Sequence, residues 1–397
     1  MHKSRCFTLC LWLLFASASL GAMDFGLGVS QNIGVTGIGG EADFNYTGTL
    51  APWFAIPLDF SSPGFADIYV SGGFSFKYAH EEWSYIPEFY RAEAWLRPGI
   101  FDIRIGRTTY ADPLGIVAVG LFDGASAQAV LGKAKVNAGV WYTGLLYKET
   151  AKIYMTDKER LAINRLLDYG NFWDTYAAPS RVLWSVGGSY PILPFLGLEG
   201  AFLGQIDCTG EDDTLHSEYL ELKLQGRYVN LLDYSAGFAG ELLQNAGNVQ
   251  LSSAVLATVG LAIPGGPQDR VSLGLKWGMG AGKDDIASAF LPLTTVYQGS
   301  VLKSKLSGLV ALEADYAIRP HRSVSGGLSM RYFFKTSEEV PEDSRAWGGE
   351  FSGSVLWSPL SDLSVMASGG IFVPAMGNFD PDGDPLWQLG LILILAF

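Results

Sequence analysis

Basic residues are scarce in this chain. Lysine and arginine number 27 in 397 residues against 40 aspartates and glutamates, a net charge of −13. Phosphate recognition needs a basic surface, so nucleic acid is excluded as a partner. Charge of both signs is thin, at 17%, where soluble domains carry roughly 25%. Long apolar runs are missing as well. Beyond the N-terminus the best are Leu114–Phe122, Ala254–Ile263 and Leu389–Phe397, whereas a spanning helix needs about 20 apolar residues. A helical membrane protein is therefore excluded. Of the three cysteines, Cys6 and Cys10 lie in an N-terminal segment that reads as a leader, which leaves Cys208 without an intramolecular disulfide partner. Histidine is limited to His2, His80, His216 and His321, and the last three fall in loops or turns. No aligned nucleophile, base and orienter can be read among them, so no enzyme is expected.

Hydrophobic residues, by contrast, make up 48% of the chain, aromatics 13%, and glycines number 49. The mean hydropathy is +0.19. A chain this apolar, without a spanning helix, fits the other fold that satisfies every backbone group in lipid, the closed β-barrel. Alternation supports this reading. In Asp67–Tyr78, Ile68, Val70, Phe74, Phe76 and Tyr78 share one face, while Asp67, Tyr69, Ser71, Ser75 and Lys77 share the other. Glu218–Tyr228, Val271–Met279 and Val324–Phe334 repeat the pattern. A β-sandwich also alternates, but its connections are short at both ends. Here short links such as Pro98-Gly99, Lys133-Ala134 and Asn230-Leu231 alternate with long ones at 109–123, 148–180, 208–216, 282–299, 336–344 and 374–385. That asymmetry predicts periplasmic turns, external loops and about eighteen strands, with sixteen left open. Residues 1–22 read as a signal peptide: His2, Lys3 and Arg5 precede an apolar stretch and the small-residue tail Ala16–Ala22. Residues 23–397 form the barrel. The 148–180 loop carries a short helix, started by the capping box Thr156/Glu159 and stopped near Gly170.

The last strand, with Leu391, Leu393, Leu395 and Phe397 on one face, resembles the assembly signal of bacterial outer-membrane barrels. Phe101-Asp102-Ile103-Arg104-Ile105-Gly106-Arg107 followed by Asp123-Gly124 resembles a stretch of large substrate-selective porins. The acidic, glycine-rich style is also similar to spirochaete outer-membrane proteins. The resemblance to the porin-like superfamily implies an outer-membrane location, lipid and the barrel assembly machinery as partners, and small solutes as cargo. No cofactor or metal is implied, and a homo-oligomer is left open.

Face parity names the residues that line the lumen. Lys77, Arg91, Arg97 and Arg104 form a basic strip with Glu93 and Asp102 among them. Lys223, Arg227 and Arg331 follow further round, mixed with Arg181, Lys276, Glu199, Asp207, Glu221, Glu241, Glu313, Asp315 and Glu350. Such charges either sort ions across a constriction or pair along the wall as cross-strand bridges. Arg107 has lipid-side parity at a strand end. The third external loop is apolar where water is expected. By resemblance to general porins it folds inward as a constriction made of Asp112, Leu114, Ile116, Val117, Val119, Phe122 and Asp123. It would then cover the apolar inner face of the last strand, Ile392, Ile394 and Ala396. The alternatives are an apolar ligand track or a simple extension of two strands. Trp53, Trp95, Trp141, Trp184, Trp277 and Trp357 fit interfacial girdles. The run Asp380–Asp384 reads as a turn rather than a calcium site.

The sequence thus predicts an all-β, transmembrane, antiparallel up-and-down barrel that acts as a porin-like channel for small solutes. A barrel transporting hydrophobic molecules, or one serving as an adhesin or scaffold, stands as the alternative.

Overall fold

The computed structural model describes residues 23–58, 66–79, 81–210, 214–245, 247–265, 268–282 and 287–397. The expected leader at 1–22, His80 and the acidic tip 211–213 lie outside these residues. Eighteen strands follow one another: β1 (Asp24–Ile38), β2 (Glu41–Pro57), β3 (Ala66–Ala79), β4 (Glu82–Leu96), β5 (Phe101–Ala111), β6 (Val119–Leu131), β7 (Ala134–Tyr142), β8 (Arg181–Leu193), β9 (Leu196–Asp207), β10 (Leu215–Tyr228), β11 (Leu232–Asn245), β12 (Asn248–Ala262), β13 (Arg270–Gly278), β14 (Leu309–His321), β15 (Val324–Lys335), β16 (Ala346–Trp357), β17 (Leu363–Val373) and β18 (Leu386–Ala396). Between β7 and β8 lie the short helices α1 (Lys148–Ala151), α2 (Asp157–Ile163) and α3 (Phe172–Tyr176).

Each strand pairs antiparallel with its chain neighbours, and β1 pairs with β18 from Gly28↔Ala396 to Ile38↔Leu386. That last pairing closes the sheet and removes both edges. Leu27 and Phe397 exchange backbone hydrogen bonds of 3.0 Å at the junction. The fold is a closed up-and-down barrel of eighteen strands, the count the alternation predicts.

Alternation sorts the side chains as expected. On β10, Leu220, Leu222 and Leu224 are exposed outward, while Tyr219 and Glu221 are buried inside. On β9, Phe202 and Ile206 point out and Leu203 and Gln205 point in. Large apolar side chains are exposed around the wall, from Ile33 and Phe44 to Leu328 and Leu389. So extensive an apolar exterior is incompatible with water and is a lipid-facing belt. No described helix is long and apolar enough to cross a membrane.

Several boundaries shift: β1 runs on to Ile38 and β2 to Pro57, and β7 stops at Tyr142, so the fourth loop begins at 143. β5 and β6 pair up to Ala111↔Val119, so the third loop shrinks to 112–118. Val119, Phe122 and Asp123 are thus strand residues, not loop residues. β14 begins at Leu309 rather than near 300. The backbone of Ser300–Leu302 bonds to the Glu350 carboxylate instead of a neighbouring strand, and the connection grows to 279–308. α2 ends at Ile163, well before Gly170. The Lys148 ammonium donates to the Ala162 and Arg165 carbonyls there, at 3.0 and 2.6 Å, and satisfies the helix end.

Candidate functional site

Three loops fold into the barrel and pack as one body. Ile116, Val117 and Ala118 of the third loop meet Leu146, Ala151, Ile153 and Met155 of the 143–180 loop. Phe290, Leu293 and Leu306 of the 279–308 loop join them. The inner wall of β7–β12 receives this plug through Trp141, Leu183, Leu203, Tyr219, Ala239 and Ala254. The third loop therefore turns away from β18. Ile392 and Ile394 belong to no buried cluster among the described residues, and Ile394 is 48% exposed. The cover expected for that inner face is not supplied by this loop, because β7–β11 offer it a larger apolar surface.

Carboxylates hold the loops in place. Asp112 begins the third loop with Pro113, Leu114 and Gly115 behind it. Its Oδ1 accepts the backbone N–H groups of Leu114, Gly115 and Ile116, and its Oδ2 those of Val117 and Ala118, all within 3.2 Å. One ionised side chain thus satisfies the whole inward turn, a strong use of charge-assisted bonds. Glu221 accepts the Leu114 N–H at 3.4 Å, and the Lys223 ammonium donates to the Pro113 carbonyl at 2.8 Å. Thr294 ties two loops together: its N–H donates to the Val117 carbonyl at 3.0 Å, and its Oγ1 accepts the Val119 N–H at 2.8 Å. Glu241 accepts the Leu291 N–H at 2.9 Å and the Ser252 hydroxyl. Glu350 accepts the N–H groups of Ser300, Val301 and Leu302 at 2.8, 3.1 and 2.7 Å.

The 143–180 loop is fastened by Arg181, which is fully buried. Its guanidinium donates to Glu159 at 2.6 Å, Gln205 at 2.7 Å, the Leu215 carbonyl at 3.0 Å and Asp207 at 3.2 Å. Glu159 meanwhile completes the capping box of α2, accepting the Thr156 N–H at 3.0 Å while Thr156 Oγ1 accepts the Glu159 N–H at 3.2 Å. The same carboxylate therefore starts a helix and docks it.

The basic strip lies elsewhere on the wall and stays partly open. Arg97 and Arg104 both lie over the Trp95 ring, their guanidinium carbons 3.7 and 4.3 Å from its centre. Asp102 lies 3.6 Å from Arg104 and 4.0 Å from Arg97, and accepts the Trp95 indole N–H. Arg91 sits over the Tyr69 ring at 4.9 Å and pairs with Glu93. Their side chains keep 36–40% exposure. Lys77 is bound to Glu149 of α1 at 2.6 Å. Trp53, Trp95 and Trp141, expected in the outer girdles, point inward: the first stacks on Tyr69, the ring that Arg91 covers, the second lies against two arginines and the third is buried in the plug.

Further round, Arg227 pairs with Asp233, which also meets Arg270 at 2.9 Å. These groups border a cavity of about 530 Å³ at the short-turn end of the barrel, with Lys223 on its rim. Arg331 bridges Glu313 at 3.3 Å, Glu350 at 3.4 Å and Asp315 at 3.9 Å. The acids of this wall are thus already engaged. They pair with neighbours on adjoining strands or fasten loops. Asp123 has outward parity and forms a two-pronged bridge with Arg107, at 2.8 Å on each arm. Asp123 is therefore outside the plug.

Below the third loop, Asp102, Arg104, Tyr110, Gln128, Asn137 and Trp141 border a cavity of about 270 Å³. Trp141 is 3% exposed, and its Nε1–H has no acceptor among the described residues. Tyr110 lies against its ring at 4.3 Å. Trp141 was not legible as a lumen residue because a tryptophan in a barrel strand reads as part of a membrane girdle. Sequence reasoning placed Arg181 on the lumen face but not in its docking role, because a lone arginine at a strand start carries no local signal of a distant loop. Asp112 was legible as a turn-former, given the Pro-Leu-Gly that follows. The histidines serve the backbone: His216 Nδ1 accepts the Asp207 N–H at 3.1 Å, and His321 accepts the Ser323 N–H at 3.3 Å. In the acidic run 380–384, the Gly383 N–H closes a turn on the Asp380 carbonyl at 3.1 Å.

No protein-family model matches the chain. No curated protein matches it in sequence. Solved structures do match in shape. Pseudomonas aeruginosa OpdL superposes with a TM-score of 0.65 at 12% identity, covering 95% of this chain and 99% of that one. OpdK of the same organism, crystallised with vanillate, gives 0.61 at 12% identity over 94% and 98%. OccK2 (OpdF), in complex with glucuronate, gives 0.60 at 11% identity over 94% and 96%. At these identities the likeness establishes the fold, and this chain is an 18-stranded barrel built on the same plan as those outer-membrane proteins.

Proposed function

We propose that the protein is an outer-membrane channel for small polar solutes. The observation that carries this reading is the inward plug of three loops, which narrows the barrel beside a wall of exposed, stacked arginines. In this reading the long loops face outward and the short turns face the periplasm. The third loop, 112–118, and the plug behind it set the size limit. A solute descends along Arg91, Arg97 and Arg104, whose charges are held in position by aromatic faces and by Glu93 and Asp102. The indole N–H of Trp141 offers a buried donor to an acceptor group of the solute just below the loop. Such an arrangement concentrates anionic or acceptor-rich solutes and excludes bulk. The vanillate and glucuronate complexes of the similar barrels support cargo of this size. The protein performs no chemistry on it.

A hydrophobic track through 114–122 is a weaker reading. Ile116, Val117, Ala118 and Phe122 are buried within the plug, so their apolar surfaces are already occupied.

Purified protein in a planar bilayer tests the proposal. Stepwise ion conductance is expected, and deletion of residues 113–117 should enlarge the step. A barrel that inserts yet carries no current, with or without the deletion, overturns it.

A further inference from the structure

The barrel wall has a gap. β4 pairs with β5 only from Ala92↔Arg107 to Leu96↔Ile103. Beyond that point residues 82–91 of β4 pair with β3 alone, and residues 108–111 of β5 pair with β6 alone. The two strands part at Gly106, whose φ of +112° suits glycine. A Cβ there would meet the Ala92 carbonyl oxygen at 2.0 Å. A ladder irregularity at Ser71/Gly72 between β3 and β4 adjoins the gap.

Unpaired backbone cannot face lipid without substitutes for its lost bonds. Arg107 supplies one of them, and the Tyr169 hydroxyl another by donating to the Tyr85 carbonyl. Arg107 is the more deeply placed of the two. Its guanidinium donates to the Phe89 carbonyl of β4 at 2.6 Å and to the Leu145 carbonyl of the 143–180 loop at 3.0 Å, while Asp123 holds it from behind. The polar foot of the gap is thereby held, and apart from Glu88, whose carboxylate is taken up by Thr150, the rest of the lining is predominantly apolar. Phe54, Phe74 and Phe89 come from the outward faces of β2, β3 and β4, and Phe172, Trp173 and Tyr176 from α3. Together they enclose about 630 Å³, within the roughly 300–1,000 Å³ of small-molecule sites. Phe54, Phe74 and Phe89 are 39–63% exposed and continue the lipid-facing belt, so the cleft opens sideways into the membrane. On its inner side the same loop grips lumen-facing groups: Glu149 binds Lys77 at 2.6 Å, and Thr150 donates to Glu88 at 3.2 Å. The loop is the partition between cleft and lumen.

We propose that this cleft is a lateral site for the acyl chain of a membrane lipid, seated between β4 and β5 against α3. The surroundings argue for that occupant. The mouth lies in a lipid-contacting belt, the lining is predominantly apolar, and the one cation at its foot is engaged by Asp123 and two backbone carbonyls. The inference depends on the barrel standing in lipid and not on its lumen conducting.

The test is photolabelling in vesicles that contain a phospholipid with a diazirine on one acyl chain, followed by mapping of the labelled residues. Label at Phe89 and Trp173 should exceed that at Leu328, an equally exposed wall residue, by about fivefold, as expected of a bound rather than a passing chain. Val70→Trp, which fills the cleft from β3, should remove the excess and leave Leu328 labelled and single-channel conductance unchanged. Uniform label along the wall overturns the proposal. So does an excess that Val70→Trp does not reduce, or exclusion of label by a second copy of the chain that cross-links over the cleft. A conductance failure with intact labelling would count against the channel reading alone.

Discussion

The two arcs of the inner wall use the same residue types in opposite ways. Along the loop end of β8–β11, charged side chains are buried beneath loops and hold them. Arg181, Glu221 and Glu241 are 0–2% exposed and bind backbone or opposite charge. Along β3–β5, Arg91, Arg97 and Arg104 rest on aromatic rings and keep more than a third of their surface open. Burial is what separates the two classes. A charged group taken from water is costly unless it is bonded to backbone or opposite charge, so the first arc is a fastening surface. A charge left half in water retains attraction for a passing solute, so the second arc is suited to sorting.

The comparison can be broken by removing one member from each arc. The largest effect is expected for Arg181→Met. It strips the shared partner from Glu159 and Asp207, and losing one side of a buried charge cluster costs about 3–5 kcal/mol. The urea midpoint of the refolded barrel should fall steeply, and a midpoint like that of the wild type would place the fastening elsewhere. Asp112→Ala comes next. It leaves the backbone donors of 114–118 without their acceptor, so the third loop should loosen while the barrel remains folded. Single-channel current should rise about twofold as the narrowest section widens, and an unchanged current would separate this loop from the constriction. Arg104→Glu, on the open arc, should leave stability nearly untouched and shift the reversal potential in a salt gradient toward cations by about twofold in permeability ratio.

The smallest effect concerns Lys305, in the 279–308 loop. Burial lowers its ammonium from 10.5 to about 8. Its Nζ donates to the Tyr154 carbonyl at 2.8 Å and lies over that ring. Because the folded value lies below the unfolded one, the unfolded chain holds more protons between about 8 and 10.5. Stability should therefore rise with pH across that window, by an increment that Lys305→Met lacks. Parallel urea titrations of both proteins at pH 7 and 10 would check this, and equal increments would refute it.

Much of the wall was legible from residue order. The outward leucines of β10 and the inward Lys77, Arg91 and Arg104 follow from parity. The third loop's apolar core already marked it as unfit for water. The plug's fastenings were not legible. Glu350 meets Ser300 across about fifty positions, and Arg181 meets Glu159 across a loop whose path no local pattern predicts. Arg107 showed only as a parity oddity. Its reason, a parting of two strands at Gly106, is a property of the pair and not of either strand.

Sequence by itself determined the strand number to within two, the lipid belt and the face of most side chains, because a strand's two-residue period is a local property. Tertiary structure decided which inward charges are buried, where the three loops settle, and where the wall opens between β4 and β5. Those outcomes depend on burial and on missing ladder partners, and both arise only once distant segments share the same space.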